Sequence, residues 1–385
     1  MSKLTALANA WNSVRELDLR PIQQVAMQGC RIAIVGRSSV AMQRLAEHLQ
    51  RDPSKPDIVL DSPLLVLDTA EAGQALSADL IILYLGIENE PLGDLFEAEK
   101  DLARYWAAAR KRVLVIIHPK VSEIVPQAIQ SWVSWGLRRI VYADPEDAQV
   151  LQKKLSPVVI HMLPEQLIAL GRCFPFFRFP IAQHLIRDSC LANASYALST
   201  GLAAIVPVFD IPLNLTDMVV LTKNQAFLVY KLGLTLGLSQ YWRDYIAEFG
   251  SVMGGGFLWR QLGRTLIGLI PAYGIIPKVG IAYAGTFVVG NTVLQWYLTG
   301  RHLSRNQMRE LYKAAFAQGK KVAQEMMDKA PRPRLLRRRL NSRSLPADQH
   351  YCRACGELIS VEARFCQHCG SPVKETPPLD APSAS

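Results

Sequence analysis

The sequence predicts a multidomain chain: an α/β unit over residues 30–160, an all-α hydrophobic helical domain over 161–330 and a small zinc ribbon over 351–373. Three observations predict it. Short β-branched runs alternate with helical patterns in the first part. Two long uncharged runs lie in the middle. Two Cys-x-x-Cys pairs stand near the C-terminus. Around these parts, residues 1–29 read as a helical leading segment, 331–350 as a basic linker and 374–385 as a disordered Pro/Ser-rich tail.

In the α/β unit, strand-type runs recur at Arg31–Val35, Leu64–Leu67, Leu80–Leu85, Val113–Ile117 and Arg139–Tyr142. Between several of them the apolar spacing becomes helical, as in Ala41–Gln50, Leu95–Arg112 and Glu123–Trp135. That alternation argues for a parallel sheet covered on both faces. Straight after the first run the chain reads GRSSVAMQ, where a phosphate-binding loop would read GxxxxGK[ST]. Gly36 is in place, but Ala41, Met42 and Gln43 stand where the second glycine, the lysine and the Ser/Thr belong.

The order of features, RIAIVG, LLVLDTAEAG, SADLIILYLG and VLVIIHPKV, resembles the Era-like GTPases. The resemblance implies a P-loop GTPase-like fold in degenerate form. Asp68 and Thr69 match its magnesium motif, with Glu71 where glycine would be. The guanine-reading NKxD is replaced by His118, Pro119, Lys120 and Val121, of which only the lysine matches. The missing lysine would contact the β- and γ-phosphates and the missing hydroxyl would bind magnesium. Val121 cannot accept hydrogen bonds from a guanine edge. Gly36 still offers backbone N–H groups at a helix start, which hold an anion only weakly. The plain alternative makes Gly36 and Asp68 ordinary strand-end residues. No catalytic and no cofactor-binding residue is assigned in this unit.

In the middle, Ser189–Phe209 and Val279–Leu298 carry no charge, and both reach the length of about 20 residues that spans a bilayer core. They are rich in the small residues that let helices approach closely. Trp296 and Tyr297 end the second run, and Arg301, Arg305 and Arg309 follow. With both ends of the chain on the cytosolic side, two crossings are expected. A buried helical bundle and a hairpin dipping into one leaflet are the alternatives. The runs AAIVPVFDIPLNLTDMVVLTKNQAFLVYKLGLTLG and GRTLIGLIPAYGIIPKVGIAYAGTFVVG resemble the uncharacterised hydrophobic domain that follows some Era-like GTPases. That resemblance implies no activity. Asp210 and Asp217 read as flanks or helix caps rather than as catalytic acids.

The formal net charge is +10, and the segment Arg301–Arg343 accounts for all of it, with thirteen Lys/Arg against three Asp/Glu. Ser304 and Gln307 form a capping-box pattern, and apolar residues from Met308 to Met326 then recur at helical spacing. Beyond it, PRPRLLRRRLNSRS reads as an extended linker. Such a segment suits anionic lipid headgroups, at about 1 kcal/mol per basic residue near a charged surface. It also suits nucleic-acid phosphates, or a plain solvated tether. Proximity to the apolar domain favours lipid, and nucleic acid is the weaker partner.

Cys352, Cys355, Cys366 and Cys369 make two C-x-x-C pairs ten residues apart, with Gly356 and Gly370 directly after them. Two such knuckles build a closed tetrahedral four-thiolate site for zinc, with Zn–S about 2.3 Å and no open position for catalysis. The module resembles the short zinc ribbons at the ends of many prokaryotic proteins. Metal binding is expected to supply most of its stability. His350 and His368 are spare. Cys30, Cys173 and Cys190 sit in apolar surroundings and are expected to be inert core thiols, in keeping with a reducing compartment. The start of the chain shows no sustained apolar h-region of a signal peptide.

Together these readings predict a non-enzymatic, membrane-associated adaptor or scaffold at the cytoplasmic membrane. Its partners are expected to be lipids, and other proteins through the zinc ribbon and the α/β surface. The alternatives are an NTP-binding regulator with a non-standard site and a nucleic-acid binder using the ribbon and Arg332–Arg343.

Overall fold

The computed structural model describes residues 17–37, 39–53, 55–86, 97–118, 139–203, 215–245, 275–329, 349–351 and 358–360. The chain divides into two compact units, Met1–Met327 and Asp328–Ser385.

The first unit begins with α1 (Arg20–Met27), β1 (Ile32–Gly36) and α2 (Ser39–Leu49). The short strands β2 (Arg51–Asp52) and β3 (Lys55–Val59) pair antiparallel as a separate hairpin. Then come β4 (Leu64–Asp68), a 3₁₀ helix (Thr69–Ser77), β5 (Leu80–Leu85), α3 (Glu97–Ala108), β6 (Val113–Ile117) and β7 (Ile140–Tyr142). The five longer-range strands form one parallel sheet in the order β4-β1-β5-β6-β7. All five runs expected from the sequence are strands. They were legible because a strand buried on both faces is a continuous apolar run, and every residue of β1, β5 and β6 is buried.

Alternation along each strand separates two apolar masses. Ala33, Val35, Ile81, Leu83, Leu85 and Val115 face a layer built from Ala72 and Ala75 of the 3₁₀ helix and from Ala103 and Trp106 of α3. Ile32, Ile34, Ile82, Tyr84, Leu114 and Ile116 face the other way, onto Leu45 and Leu49 of α2 and a much larger helical body. That body comprises α4 (Ala148–Met162), α5 (Leu167–Cys173), a 3₁₀ turn (Pro175–Phe177), α6 (Arg178–Ala203), α7 (Leu215–Thr235), α8 (Ile275–Thr299) and α9 (Arg305–Lys329). The sheet and these helices share one continuous core that runs from Ile34 through Phe176 and Val289 to Ala323. The expected boundary at residue 160 falls inside α4, whose start is capped by Asp147 accepting from the backbone N–H groups of Gln149 and Val150.

Residues 189–203 of the first uncharged run belong to α6 and the second run belongs to α8, the helix pair in most extensive contact. Among the described residues no helix is both long and apolar enough to cross a membrane, so the second run supplies no crossing as a helix, while the first continues past Ala203 into residues outside the description. The reason is what surrounds them. In α6 the run is preceded in the same helix by Arg178, His184, Arg187 and Asp188, and α8 carries Lys278, Asn291 and Thr292. The small residues serve close packing inside the protein. A Cβ on Gly290 of α8 would lie 2.8 Å from the Ile186 side chain of α6. Between α7, α6 and α8 runs a polar relay. Asn224 Nδ2 donates to Asn193 Oδ1, Asn193 Nδ2 donates to Thr286 Oγ1, and Thr286 donates to the Ala282 carbonyl. The first two distances are both 2.7 Å.

The capping box at α9 is present as the sequence implies. Gln307 N–H donates to Ser304 Oγ, and Ser304 N–H donates to Gln307 Oε1. The apolar stripe of α9, from Met308 to Met326, joins the shared core. The described part of the second unit is a hairpin, β8 (Gln349–Tyr351) with β9 (Leu358–Ser360), paired antiparallel.

Candidate functional site at the carboxyl edge of the sheet

In an open parallel sheet, ligands bind outside the carboxyl ends of the strands where the connections reverse direction. Here that point lies between β1 and β5, because β1 leads to β4 on one side and β4 leads back across β1 to β5 on the other. Gly36 ends β1 there, in register with Asp68 of β4. A Cβ on Gly36 would lie 2.6 Å from the Tyr84 carbonyl oxygen of β5 and 3.1 Å from Met42 Sδ, so only glycine fits. The position is a packing requirement between adjacent strands, whatever else it once served.

Helix α2 starts at Ser39, so only two residues separate it from Gly36. A loop long enough to wrap a phosphate has no room. Met42, at the lysine position, is buried beneath the sheet, whereas Gln43 is exposed. In place of a phosphate contact, Arg37 turns onto α3. Its Nε lies 2.8 Å from Glu99 Oε1 and its Nη2 2.9 Å from Glu99 Oε2. Two parallel charge-assisted hydrogen bonds of this kind fix geometry strongly. The Glu99 side chain is 2% exposed and that of Arg37 37%. Arg37, the residue after Gly36, is thus paired with a buried carboxylate of the same protein. Sequence reasoning missed this pair: Arg37 directly after Gly36 was the available signal, but nothing in the helical pattern of 95–112 singled out Glu99.

Asp68, expected at a magnesium position, caps the following 3₁₀ helix. Its Oδ1 accepts from Thr69 Oγ1 at 2.8 Å and from the Ala70 N–H. The Thr69 hydroxyl foremost, then the Ala70 N–H, hold its carboxyl below the ordinary range, with a smaller contribution from the charge of Arg37. A carboxyl depressed on folding contributes stability above its unfolded pKa and loses it as pH falls through the folded value. Asp68→Ala is therefore expected to cost about 1 kcal/mol at neutral pH, the usual worth of an N-cap, and the deficit should close in acid. Urea denaturation of both proteins at several pH values measures it.

His118 directly follows β6, which is separated from β1 by β5, and its Nε2 lies 3.6 Å from Asp144 Oδ1 beyond β7. Pro119, Lys120 and Val121 lie outside the described residues, as do Pro207 and Asp210. Asp217 lies within α7. The structure therefore pairs Gly36 with Asp68 on one edge and gives each a structural partner.

The three scattered cysteines are free thiols, Cys30 and Cys190 buried and Cys173 partly so. Burial pushes Cys30 and Cys190 up to about 12, and raises Cys173 as well, which makes them poor nucleophiles. Cys352, Cys355, Cys366 and Cys369 lie outside the described residues, and among the described residues no group of His, Cys, Asp or Glu could hold a metal ion. The hairpin does bear on the first pair: Tyr351 is opposite Leu358, and the connection between them is residues 352–357, which contain Cys352-x-x-Cys355-Gly356. No protein-family model matches the chain, and no curated protein matches it.

Proposed function

We propose that this chain is a non-enzymatic, membrane-associated adaptor or scaffold, with a GTPase-like α/β core that has no nucleotide chemistry and a structural zinc ribbon at its C-terminus. One observation carries the reading. The switch point where a nucleotide would bind is occupied by Arg37 paired with the buried Glu99, under a βα turn of two residues. An incoming phosphate would have to break a bidentate ion pair and leave Glu99 buried without a partner, a cost of several kcal/mol. The association is through the basicity concentrated in Arg301–Arg343, next to the apolar helices. The zinc site rests on the spacing of Cys352, Cys355, Cys366 and Cys369 and on the hairpin that brackets the first pair. With four thiolate ligands the metal would hold the ribbon together and leave a surface for protein partners.

The test uses the full-length protein. Magnesium-dependent GTP or ATP titration by calorimetry should show no saturable binding. The protein should sediment with membranes and be released by high salt. Metal analysis should find equimolar zinc that Cys355→Ser removes. Tight magnesium-dependent retention of a nucleoside triphosphate would overturn the first part, and full recovery in the soluble fraction at low salt the second. Salt-sensitive RNA or DNA binding that vanishes when Arg337, Arg338 and Arg339 are replaced would favour a nucleic-acid binder.

A further inference from the structure

A groove of about 1080 Å³ lies between α4 and the first half of α6, closed at one end by the β2–β3 hairpin and the turn at Pro175. It is far from the switch-point residues in sequence and shares none of them. One stripe of α4 faces it, with Lys153, Ser156, Ile160 and His161 at helical spacing. A stripe of α6 faces it from the other side, with Arg178, Phe179, His184 and Arg187.

The charge of this lining is one-sided. Its single carboxylate is Asp52, which acts on Arg178. His184 Nε2 is taken by Asp188 at 3.1 Å, and Arg178 Nε donates to the Gly171 carbonyl. Lys153, His161 and Arg187 have no acidic partner among the described residues. Three basic side chains without an acidic partner therefore line one concave surface, whose only carboxylate among the lining residues is Asp52. The floor between them is apolar, with Pro157, Ile160, Pro180 and Leu298, and Phe179 presents an aromatic ring that is 51% exposed.

A second, independent observation points to a missing ligand. Ser156 lines the groove, is 1% exposed, and its Oγ has no hydrogen-bond partner. A buried hydroxyl left unpaired costs about 1–3 kcal/mol, so such groups are retained where something satisfies them.

We propose that this groove binds a phosphate-bearing amphiphile. The phosphate is held by Lys153, Arg187 and the Ser156 hydroxyl, and the hydrocarbon lies along Phe179, Pro180 and Leu298. The volume suits a molecule of that size, slightly above the usual range for small-ligand sites of about 300–1,000 Å³. The inference rests on the membrane reading only for the source of the ligand, which is either a bilayer lipid or a free amphiphilic phosphate.

The experiment measures binding of short-chain phosphatidic acid below its micellar concentration to the full-length protein. Glycerol phosphate and inorganic phosphate are the tail-free comparators. In parallel, flotation is measured with phosphatidylcholine vesicles with and without phosphatidylglycerol. Lys153→Glu with Arg187→Glu should weaken short-chain phosphatidic acid about tenfold or more, because both exposed cations become repulsive. The control pair Arg112→Glu with Arg139→Glu, which removes equal charge from exposed positions just before β6 and β7, should leave that affinity unchanged. Ser156→Ala should weaken binding severalfold without lowering the unfolding midpoint, since no hydrogen bond is lost in the free protein.

Equal losses in both charge pairs would overturn the site and leave only general attraction. Equal affinity for glycerol phosphate and for the short-chain amphiphile would overturn the role of the apolar floor. Vesicle capture that survives Lys153→Glu with Arg187→Glu would keep the membrane reading and overturn a bilayer lipid as the ligand of the groove. Retained binding of the soluble amphiphile without vesicle capture would keep the groove and overturn a bilayer as its source.

Discussion

Replacing Arg37 with methionine is expected to destabilise the protein by about 2 kcal/mol. Removing one partner of a fully buried pair costs about 3–5 kcal/mol, because the other charge is stranded away from water. Glu99 meets that description at 2% exposed, but Arg37 is 37% exposed. Water therefore screens part of the interaction and lowers the figure. The informative variant is the double replacement Arg37→Met with Glu99→Leu. Two apolar side chains of similar volume need no counter-charge, so the double variant should lie within about 1 kcal/mol of the parent. A double-mutant cycle by urea denaturation reads the coupling. Additive single effects would show that the pair is an incidental surface contact, and that the switch point is less firmly occupied than its geometry implies.

Asn193→Ala should have a still larger effect, about 3 kcal/mol. Asn193 is fully buried and is the middle member of the relay that joins α7, α6 and α8. Its removal loses two side-chain hydrogen bonds, leaves the Asn224 amide without its acceptor and opens a cavity at a three-helix junction. Asn193→Leu combined with Thr286→Val should recover part of the loss, because an interaction whose two partners both become apolar leaves no orphan between them. Calorimetric midpoints for the three proteins decide the matter. A midpoint unchanged by Asn193→Ala would mean that water replaces the amide at this junction.

The sheet could be read from the sequence because its strands obey a rule of burial. Parallel strands covered on both faces must be apolar throughout, and β1, β5 and β6 are. The hairpin of β2 and β3 could not be read, because RDPSKPDIV offers neither an apolar run nor clean alternation. The missing lysine and hydroxyl of a phosphate loop were legible at Met42 and Gln43, since single residue types carry that signal. What fills the space was not. Arg37 and Glu99 are 62 positions apart, and no local pattern announces an ion pair across that interval. The apolar middle was legible only as far as its uncharged helices. A helix rich in Ala, Gly, Ser and Thr suits lipid-embedded packing and a tight protein interior equally well. The deciding features are the charged first half of α6 and the polar relay, and both depend on neighbours that the sequence alone does not identify. The groove between α4 and α6 was hidden likewise, because its basic side chains come from separate helices and look like ordinary solvated positions when read along the chain.

The continuous interior that backs one side of the sheet has a practical corollary for anyone dissecting this protein. A scissor cut near residue 160 would bare Ile34, Ile82 and Ile116 on one fragment and Leu170, Phe176 and Ile186 on the other. Neither piece would retain a covering for that oily surface. Activities assigned to either half in isolation would then describe a sticky remnant, and only pieces that preserve 17–327 intact can speak for the native molecule.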